Sequence, residues 1–146
     1  MDDKKLDFVR KYLYYLSKHS TCLRRRVGAF IENENGAIVA CGWNGAPEEC
    51  LTCEEKGCIR QQKQVPSGTH HELCRGIHAE QFAINHAAKE GYSINNGILY
   101  CTTYPCSMCA KSIISSGIHT VYYIEDYPDD LAKELFREAK ITVQKI

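Results

Sequence analysis

Two cysteines of this chain lie three residues apart, directly after a proline, in the segment YPCSMC that runs from Tyr104 to Cys109. Three residues make about one helical turn, so Cys106 and Cys109 would share one face of a helix that begins near Pro105. A redox pair, a metal site and two ordinary core cysteines all fit this spacing. The choice between them depends on what the rest of the chain brings to the same place.

A second short pattern, His78-Ala79-Glu80, opens another predicted helix upstream. One imidazole and two thiols make three ligands that suit Zn²⁺, and a fourth tetrahedral position would stay free, as in catalytic zinc sites. The unpaired N–H groups and the dipole of each helix start favour thiolate over thiol at the two cysteines. A carboxylate at Glu80 would be free to move protons. The sequence therefore predicts a catalytic zinc at His78, Cys106 and Cys109, with Glu80 as the catalytic acid and base.

The elements that must position these residues follow from periodicity and turn signals. Apolar spacing predicts a helix over 4–17, and HAEQFAINHAAKE predicts another over 78–90. Further strands are predicted at 27–31, 37–45, 98–102, 120–124 and 141–146, and further helices at 106–116 and from 129 onwards. The order α-β-β-α-β-α-β-α-β predicts an α/β fold, a three-layer α-β-α sandwich with a mixed sheet of about five strands. We expect a single domain over 1–146, with a Cys/His-rich insert at 46–77. An insert of this length is expected either to carry function or to be held in place by a bound group.

Composition and charge exclude several classes of partner. Lys+Arg and Asp+Glu balance at 18 each over 146 residues. A neutral chain is poorly suited to coating nucleic acid or binding a membrane surface, since both need an excess of positive charge. No apolar run approaches the roughly 18 residues of a membrane span, and the charged start MDDKKLDF lacks a signal-peptide core. Nine cysteines then favour metal ligation in a reducing, cytoplasmic compartment over disulfides.

The combination H-x-E…P-C-x-x-C is the signature of zinc deaminases. Other matching segments cover nearly the whole chain: STCLRRRVGA, CGWNGAP, GCIR, PSG, CRGIHAEQ, LYCTTYPCSMCAKSIISSGI and YPDD. The sequence thus resembles the zinc-dependent deoxycytidylate (dCMP) deaminases of the cytidine deaminase superfamily. This resemblance implies hydrolysis of dCMP to dUMP and ammonia in pyrimidine nucleotide metabolism, which supplies the precursor of dTMP. Glu80 would protonate N3 of cytosine and later the leaving amine.

The resemblance also implies substrate contacts and an assembly. Asn44 stands where relatives hold the sugar hydroxyl, and Ala79 is a further expected contact. Arg26, or a neighbour in the run of three arginines, is expected to take the 5′-phosphate, because guanidinium groups form paired hydrogen bonds with phosphate. Relatives form homo-oligomers, hexamers or dimers, and use dCTP and dTTP as effectors. Phe82 replaces an Asn of the family pattern, which leaves transfer of that regulation open.

Five cysteines and a histidine pair remain in or near the insert. Some phage and bacterial relatives hold a structural zinc with cysteines that match Cys22 and Cys53. A long polar loop costs much conformational entropy to order, and a metal ion would offset that cost. We therefore expect a second zinc at Cys22, Cys53, His71 and Cys74, with Cys58 as the substitute ligand.

Two other functions remain open at the level of the sequence. One is a deaminase of the same chemistry that acts on another cytosine compound, on a purine or on tRNA adenosine. The neutral charge argues against tRNA, and free cytidine deaminases usually have Cys where His78 stands. The other is a non-catalytic, zinc-stabilised interaction module, which would have no use for a free carboxylate at Glu80.

Overall fold

A five-stranded mixed sheet forms the centre of the molecule. A computed structural model describes all 146 residues. The strands are β1 (Gly28–Glu32), β2 (Ile38–Trp43), β3 (Ile98–Thr103), β4 (Thr120–Glu125) and β5 (Thr142–Lys145). Their order in the sheet is β2-β1-β3-β4-β5. Strand β1 is antiparallel to both β2 and β3, whereas β3, β4 and β5 run parallel.

Helices cover both faces of this sheet. They are α1 (Asp3–Ser17), α2 (Cys53–Lys56), α3 (Ile59–Gln62), α4 (Ala79–Glu90), α5 (Ser107–Ser115) and α6 (Asp130–Glu138). Side chains alternate along β1, so that Phe30 packs under α1 while Ala29 and Ile31 join the larger core on the side of α4, α5 and α6. The predicted three-layer α-β-α sandwich is confirmed.

Two glycines let helices approach the sheet closely. A Cβ atom at Gly28 would lie 2.5 Å from the carbonyl oxygen of Leu13 on α1. A Cβ atom at Gly42 would lie 2.5 Å from the carbonyl oxygen of Ala79 and 2.6 Å from the backbone nitrogen of Ala83. Only glycine avoids these overlaps, so α4 begins directly against β2. This contact fixes the first turn of α4, next to the predicted zinc and acid–base residues.

One carboxylate ties the starts of α5 and α6 together. Asp129 Oδ2 accepts a hydrogen bond from the backbone N–H of Ser107 at 2.8 Å, and Asp129 Oδ1 accepts one from that of Ala132 at 2.9 Å. Helix α5 follows β3 at the carboxyl end of the parallel strands, where ligands commonly bind in α/β sheets. The α5 start is therefore held rigidly at the edge where a site is expected.

The insert at 46–77 is more structured than a loop. It contains α2, α3 and a 3₁₀ turn at His71–Leu73, and Thr52 and Glu55 form a capping box at the start of α2. A bridge between Gly45 and Ile77 closes the insert at its base. The insert therefore leaves and rejoins the core at one place, beside the start of α4. No helix in the chain has the length and apolar character needed to cross a bilayer.

Candidate metal centre and active site

The ligand atoms of three predicted zinc residues converge where α4 and α5 begin. His78 is the N-cap of α4, Cys106 is the N-cap of α5, and Cys109 lies in the first turn of α5. Nδ1 of His78 is 3.4 Å from Sγ of Cys106 and 3.3 Å from Sγ of Cys109. No other group of three His, Cys or acidic ligand atoms in the chain lies within 4.8 Å of one another. The structure thus brings together residues from two distant motifs.

The geometry and protonation of this cluster fit a zinc ion. Tetrahedral Zn–S bonds of about 2.3 Å and Zn–N bonds of about 2.0 Å separate the N and S ligands by about 3.6 Å, close to the observed spacing. A hydrogen bond from the Cys109 thiol is the main cause that lowers the pKa of Cys106 to about 4, and His78 adds to it. One thiolate, the form that binds zinc, is therefore already favoured at neutral pH.

Glu80 lies two residues beyond His78 in the first turn of α4, and the residue is only 5% exposed. Burial raises the pKa of its carboxyl group, while the nearby His78 opposes that rise. The carboxylate lines the same cavity as His78 and Cys106. A buried carboxyl group beside a metal cluster can both accept and return a proton, as a general acid and base requires.

A single cavity connects the cluster with the insert. The core supplies one wall, which includes His78, Ala79, Glu80, Asn44 and Cys106, and the insert supplies another, which includes Arg60, Ser67, Gly68 and His71. The basic side chains in the lining are Arg24, Arg25 and Arg60, and the one acidic side chain is Glu80. A cavity with three arginines and one glutamate favours an anionic ligand.

Asn44 lines this cavity while its amide also supports the main chain. Its Oδ1 accepts a hydrogen bond from the N–H of Val27, and its Nδ2 donates one to the carbonyl oxygen of Arg25, both at 2.7 Å. An amide has two donor hydrogens and two acceptor positions, so one of each stays available to a ligand. Ala79, the other expected contact, is fully buried and also lines the cavity.

Arg26 lies outside the lining of the cavity. Its guanidinium group is half exposed and 3.7 Å from the carboxylate of Glu54. Arg24 and Arg25 line the cavity instead, and Arg25 is paired with Glu125 at 3.3 Å. The geometry therefore favours the two neighbours over Arg26 as contacts of a bound anion.

The four residues predicted to hold a structural zinc are Cys22, Cys53, His71 and Cys74, and all four line the cavity that also contains the catalytic cluster. The negative charges of three thiols add to burial in raising the pKa of the Cys53 thiol, and these three belong to Cys58, Cys74 and Cys22. The His71 ring also packs edge-on against that of His78, with centroids 5.4 Å apart. The second zinc and its ligand set stay a prediction.

Two cavity residues carried too weak a signal to be assigned from the sequence. Arg60 reaches the cavity from α3 in the insert, and the ring of Tyr127 lies 5.7 Å from the guanidinium group of Arg25. The sequence signal for Arg60 is the segment GCIR, in which an arginine directly follows a cysteine and an isoleucine. The direction of the Arg60 side chain, however, depends on the path of the insert, which periodicity does not predict.

Comparison with known proteins places this geometry among relatives. The model of the cytidine and deoxycytidylate deaminase zinc-binding region matches residues 2–125. ComE operon protein 2 of Bacillus subtilis is 38% identical over 91% of this chain and 66% of its own length. The deoxycytidylate deaminase of Schizosaccharomyces pombe is 38% identical over 78% of this chain and 35% of its own length. The chain thus spans less than two thirds of these two curated relatives.

A solved structure matches the chain from end to end. The crystal structure of dCMP deaminase from the cyanophage S-TIM5, in complex with dCMP and dUMP, is 30% identical with a TM-score of 0.80. The match covers 100% of this chain and 99% of that one.

Proposed function

Because this chain belongs to the cytidine and deoxycytidylate deaminase family, we propose that it hydrolyses dCMP to dUMP and ammonia. The proposal rests on one observation: the buried Glu80 lies in the same cavity as the cluster of His78, Cys106 and Cys109. On this proposal, residues 1–146 act as one deaminase unit, and the insert contributes a wall of its active site.

His78, Cys106 and Cys109 would hold the catalytic zinc, with one imidazole nitrogen and two sulfurs as ligands. When bound, the metal acts as a Lewis acid that makes a strong nucleophile available from water at neutral pH. A ligand set of three protein atoms is typical of catalytic rather than structural zinc sites. The same cluster therefore serves the proposed hydrolysis better than it would serve a purely structural role.

Glu80 would move the protons of the reaction. Net hydrolysis forms a C–O bond at C4 of cytosine, breaks the C4–N bond, consumes one water and releases ammonia. Glu80 would accept the first proton of the attacking water and pass it to N3 of the base. It would then accept the second proton of that water, from the new C4 hydroxyl, and deliver it to the leaving amine as the C4–N bond breaks. Its burial supports this role, since burial raises the pKa of the carboxyl group toward the range in which it exchanges protons near neutral pH.

Contacts to the rest of the nucleotide would come from the same lining. The free donor and acceptor of Asn44 suit a sugar hydroxyl, and the buried backbone at Ala79 bounds the pocket for the base. The excess of arginine over acidic side chains suits a phosphate. These features together favour a nucleotide over a free nucleoside.

A substrate panel tests the proposal. Ammonia release would be measured with dCMP, CMP, deoxycytidine, cytidine and adenosine compounds, each with and without dCTP. We expect dCMP to give the highest kcat/KM. Release of ammonia from none of the cytosine compounds by the zinc-loaded protein would favour a non-catalytic module. A higher kcat/KM for a nucleoside or a purine would instead identify another deaminase of the same chemistry.

A second, structural zinc is also part of the proposal, with Cys22, Cys53, Cys58 and Cys74 as its ligands. Four thiolates are a usual ligand set for structural zinc, and Cys58, Cys74 and Cys22 all add to burial in raising the pKa of the Cys53 thiol. His71 is replaced by Cys58 in this set, because the His71 ring packs on His78.

Metal analysis of purified protein tests this ligand set. We expect two zinc ions per chain in the wild type, one in Cys58→Ser and two in His71→Ala. Cys50→Ser is the matched control, because Cys50 is an exposed cysteine in the same insert and should leave both ions in place. A wild-type content of one zinc would eliminate the second site, and loss of zinc in His71→Ala alone would return His71 to the ligand set.

The assembly, the effectors and the compartment belong to the proposal as well. Exposed aromatic side chains on the outer face of α1, those of Phe8, Tyr14 and Tyr15, support a homo-oligomer, either a hexamer or a dimer. Regulation by dCTP would be read from the substrate panel, and regulation by dTTP from the dCMP reaction repeated with dTTP added. The thiolate ligands need a reducing environment, which supports a cytoplasmic enzyme.

A further inference from the structure

Arg60 is a buried cation without a counter-charge. The residue is 9% exposed, and no carboxylate lies within 4.0 Å of its guanidinium group. Its Nε has no hydrogen-bond partner, and one terminal nitrogen reaches only the carbonyl oxygen of Pro66, at 3.5 Å. Burying a charge without a partner is strongly unfavourable, because the group loses its hydration and gains no compensating contact. The Arg60 guanidinium group is therefore expected to pair with an anion when the protein has its ligand bound.

The guanidinium group of Arg60 lines the cavity that contains the catalytic cluster. Arg60 lines the cavity together with Glu80 and Cys106. Apart from the Glu80 carboxylate, the lining has no acidic side chain that could serve as a counter-charge. The missing anion therefore belongs in the cavity.

A second arginine of the cavity is also without an acidic partner. Arg24 donates a hydrogen bond to the carbonyl oxygen of Val65 at 3.0 Å and makes no ion pair. Arg25, by contrast, already has Glu125 as its partner. Arg24 and Arg60 thus offer two unpaired guanidinium groups to one cavity, and two forked cations match the charge and the oxygen geometry of a phosphate dianion.

We infer that Arg60, assisted by Arg24, binds the 5′-phosphate of the nucleotide and makes the enzyme select nucleoside monophosphates over nucleosides. This inference rests on the proposed function, and it assigns to the insert the task of substrate selection. Arg26, which lies outside the cavity with Glu54 as its partner, takes no part in it. The phosphate would neutralise the buried charge of Arg60. The guanidinium group would therefore have an anionic partner only when a nucleotide is bound.

Steady-state kinetics of Arg60→Met with dCMP and with deoxycytidine test the inference. A phosphate contact predicts that kcat/KM for dCMP falls about 100-fold, mainly through KM, whereas kcat/KM for deoxycytidine changes less than about twofold. Arg60→Lys should recover part of the loss, since it keeps the charge but not the fork. Lys63→Met is the matched control, because Lys63 is an exposed cation of the same insert, and its kinetics should match the wild type.

Equal losses on dCMP and deoxycytidine would show that Arg60 only supports the fold, and an unchanged KM for dCMP would overturn the inference. Binding of inorganic phosphate and of dUMP, measured by calorimetry, gives a readout that needs no turnover. Both should bind more weakly to Arg60→Met, while deoxyuridine should not. If the wild type deaminates neither compound, the proposed function fails and the phosphate measurement still decides the inference. If Arg60→Met does not fold, Arg24→Met and Arg60→Lys take its place.

Discussion

A Glu80→Gln variant is expected to keep its zinc and to lose about 1,000-fold in kcat, within the range that general acid–base catalysis supplies. Glutamine preserves the size of the side chain but does not exchange protons at neutral pH. Glu80 is buried beside the metal cluster and is not one of its ligand atoms. The loss should therefore appear in kcat, with the KM for dCMP changed little. Rates of ammonia release and zinc per chain, measured on the same sample, check both parts.

Glu90→Gln provides the control for that measurement, because Glu90 is an exposed residue at the other end of α4. It makes the same chemical change in the same helix and should leave kcat and zinc content unaltered. A Glu80→Gln enzyme that retains its zinc and works within tenfold of the wild-type rate would remove Glu80 from the proton transfers. Loss of zinc in that variant would instead indicate that the carboxylate supports the ligands.

The metal centre was accessible from the sequence because local rules determine its geometry. Cys106 and Cys109 are one turn apart, and helix-start signals place both motifs at helix ends, so spacing aligns the two thiols with each other. The approach of His78 to them depends on the packing of the two helix starts. The five strands and their succession along the chain followed equally from periodicity, since each strand is a short apolar run between turn signals. Where neighbouring residues and one element suffice, the prediction and the structure agree closely.

The cavity wall formed by the insert could not be predicted from the sequence in the same way. Whether Arg24, Arg26 or Arg60 reaches the cavity depends on how a polar segment folds back over the core, and no periodic pattern records that path. The same reason applies to His71, whose ring contact with His78 is made between the insert and the start of α4. Contacts between segments distant in sequence, not local propensity, decide the function of such residues.

Phe82 illustrates how a departure from a family pattern is absorbed by packing. Its ring stacks on Trp43 with centroids 5.1 Å apart, and Trp43 in turn lies 5.0 Å from the ring of His19. Three aromatic rings therefore fill a space in which an amide would offer hydrogen bonds. This packing makes a nucleotide effector that depends on such hydrogen bonds a poor fit at Phe82, so the dCTP arm of the substrate panel is informative.

Cys109→Ser is expected to abolish deamination, with a loss of at least about 1,000-fold, and to remove one zinc ion per chain. A hydroxyl group is a far weaker zinc ligand than a thiolate, and zinc sites are built from Cys, His and carboxylate atoms. Cys109 is fully buried, and its Sγ is 3.3 Å from Nδ1 of His78. Metal analysis and ammonia release measure the two losses together.

The same variant should unfold at a lower temperature than the zinc-loaded wild type, because an ion that binds only the folded state stabilises it. Treating the wild type with a chelator should bring its thermal midpoint down in the same direction. Cys50→Ser is again the matched control, since Cys50 is exposed and is not one of the three residues of the cluster. A Cys109→Ser protein with full zinc content and a near-normal rate would contradict the assignment of Cys109 as a ligand. Because the cluster connects α4 to α5, such a result would also require another set of residues to carry the proposed chemistry.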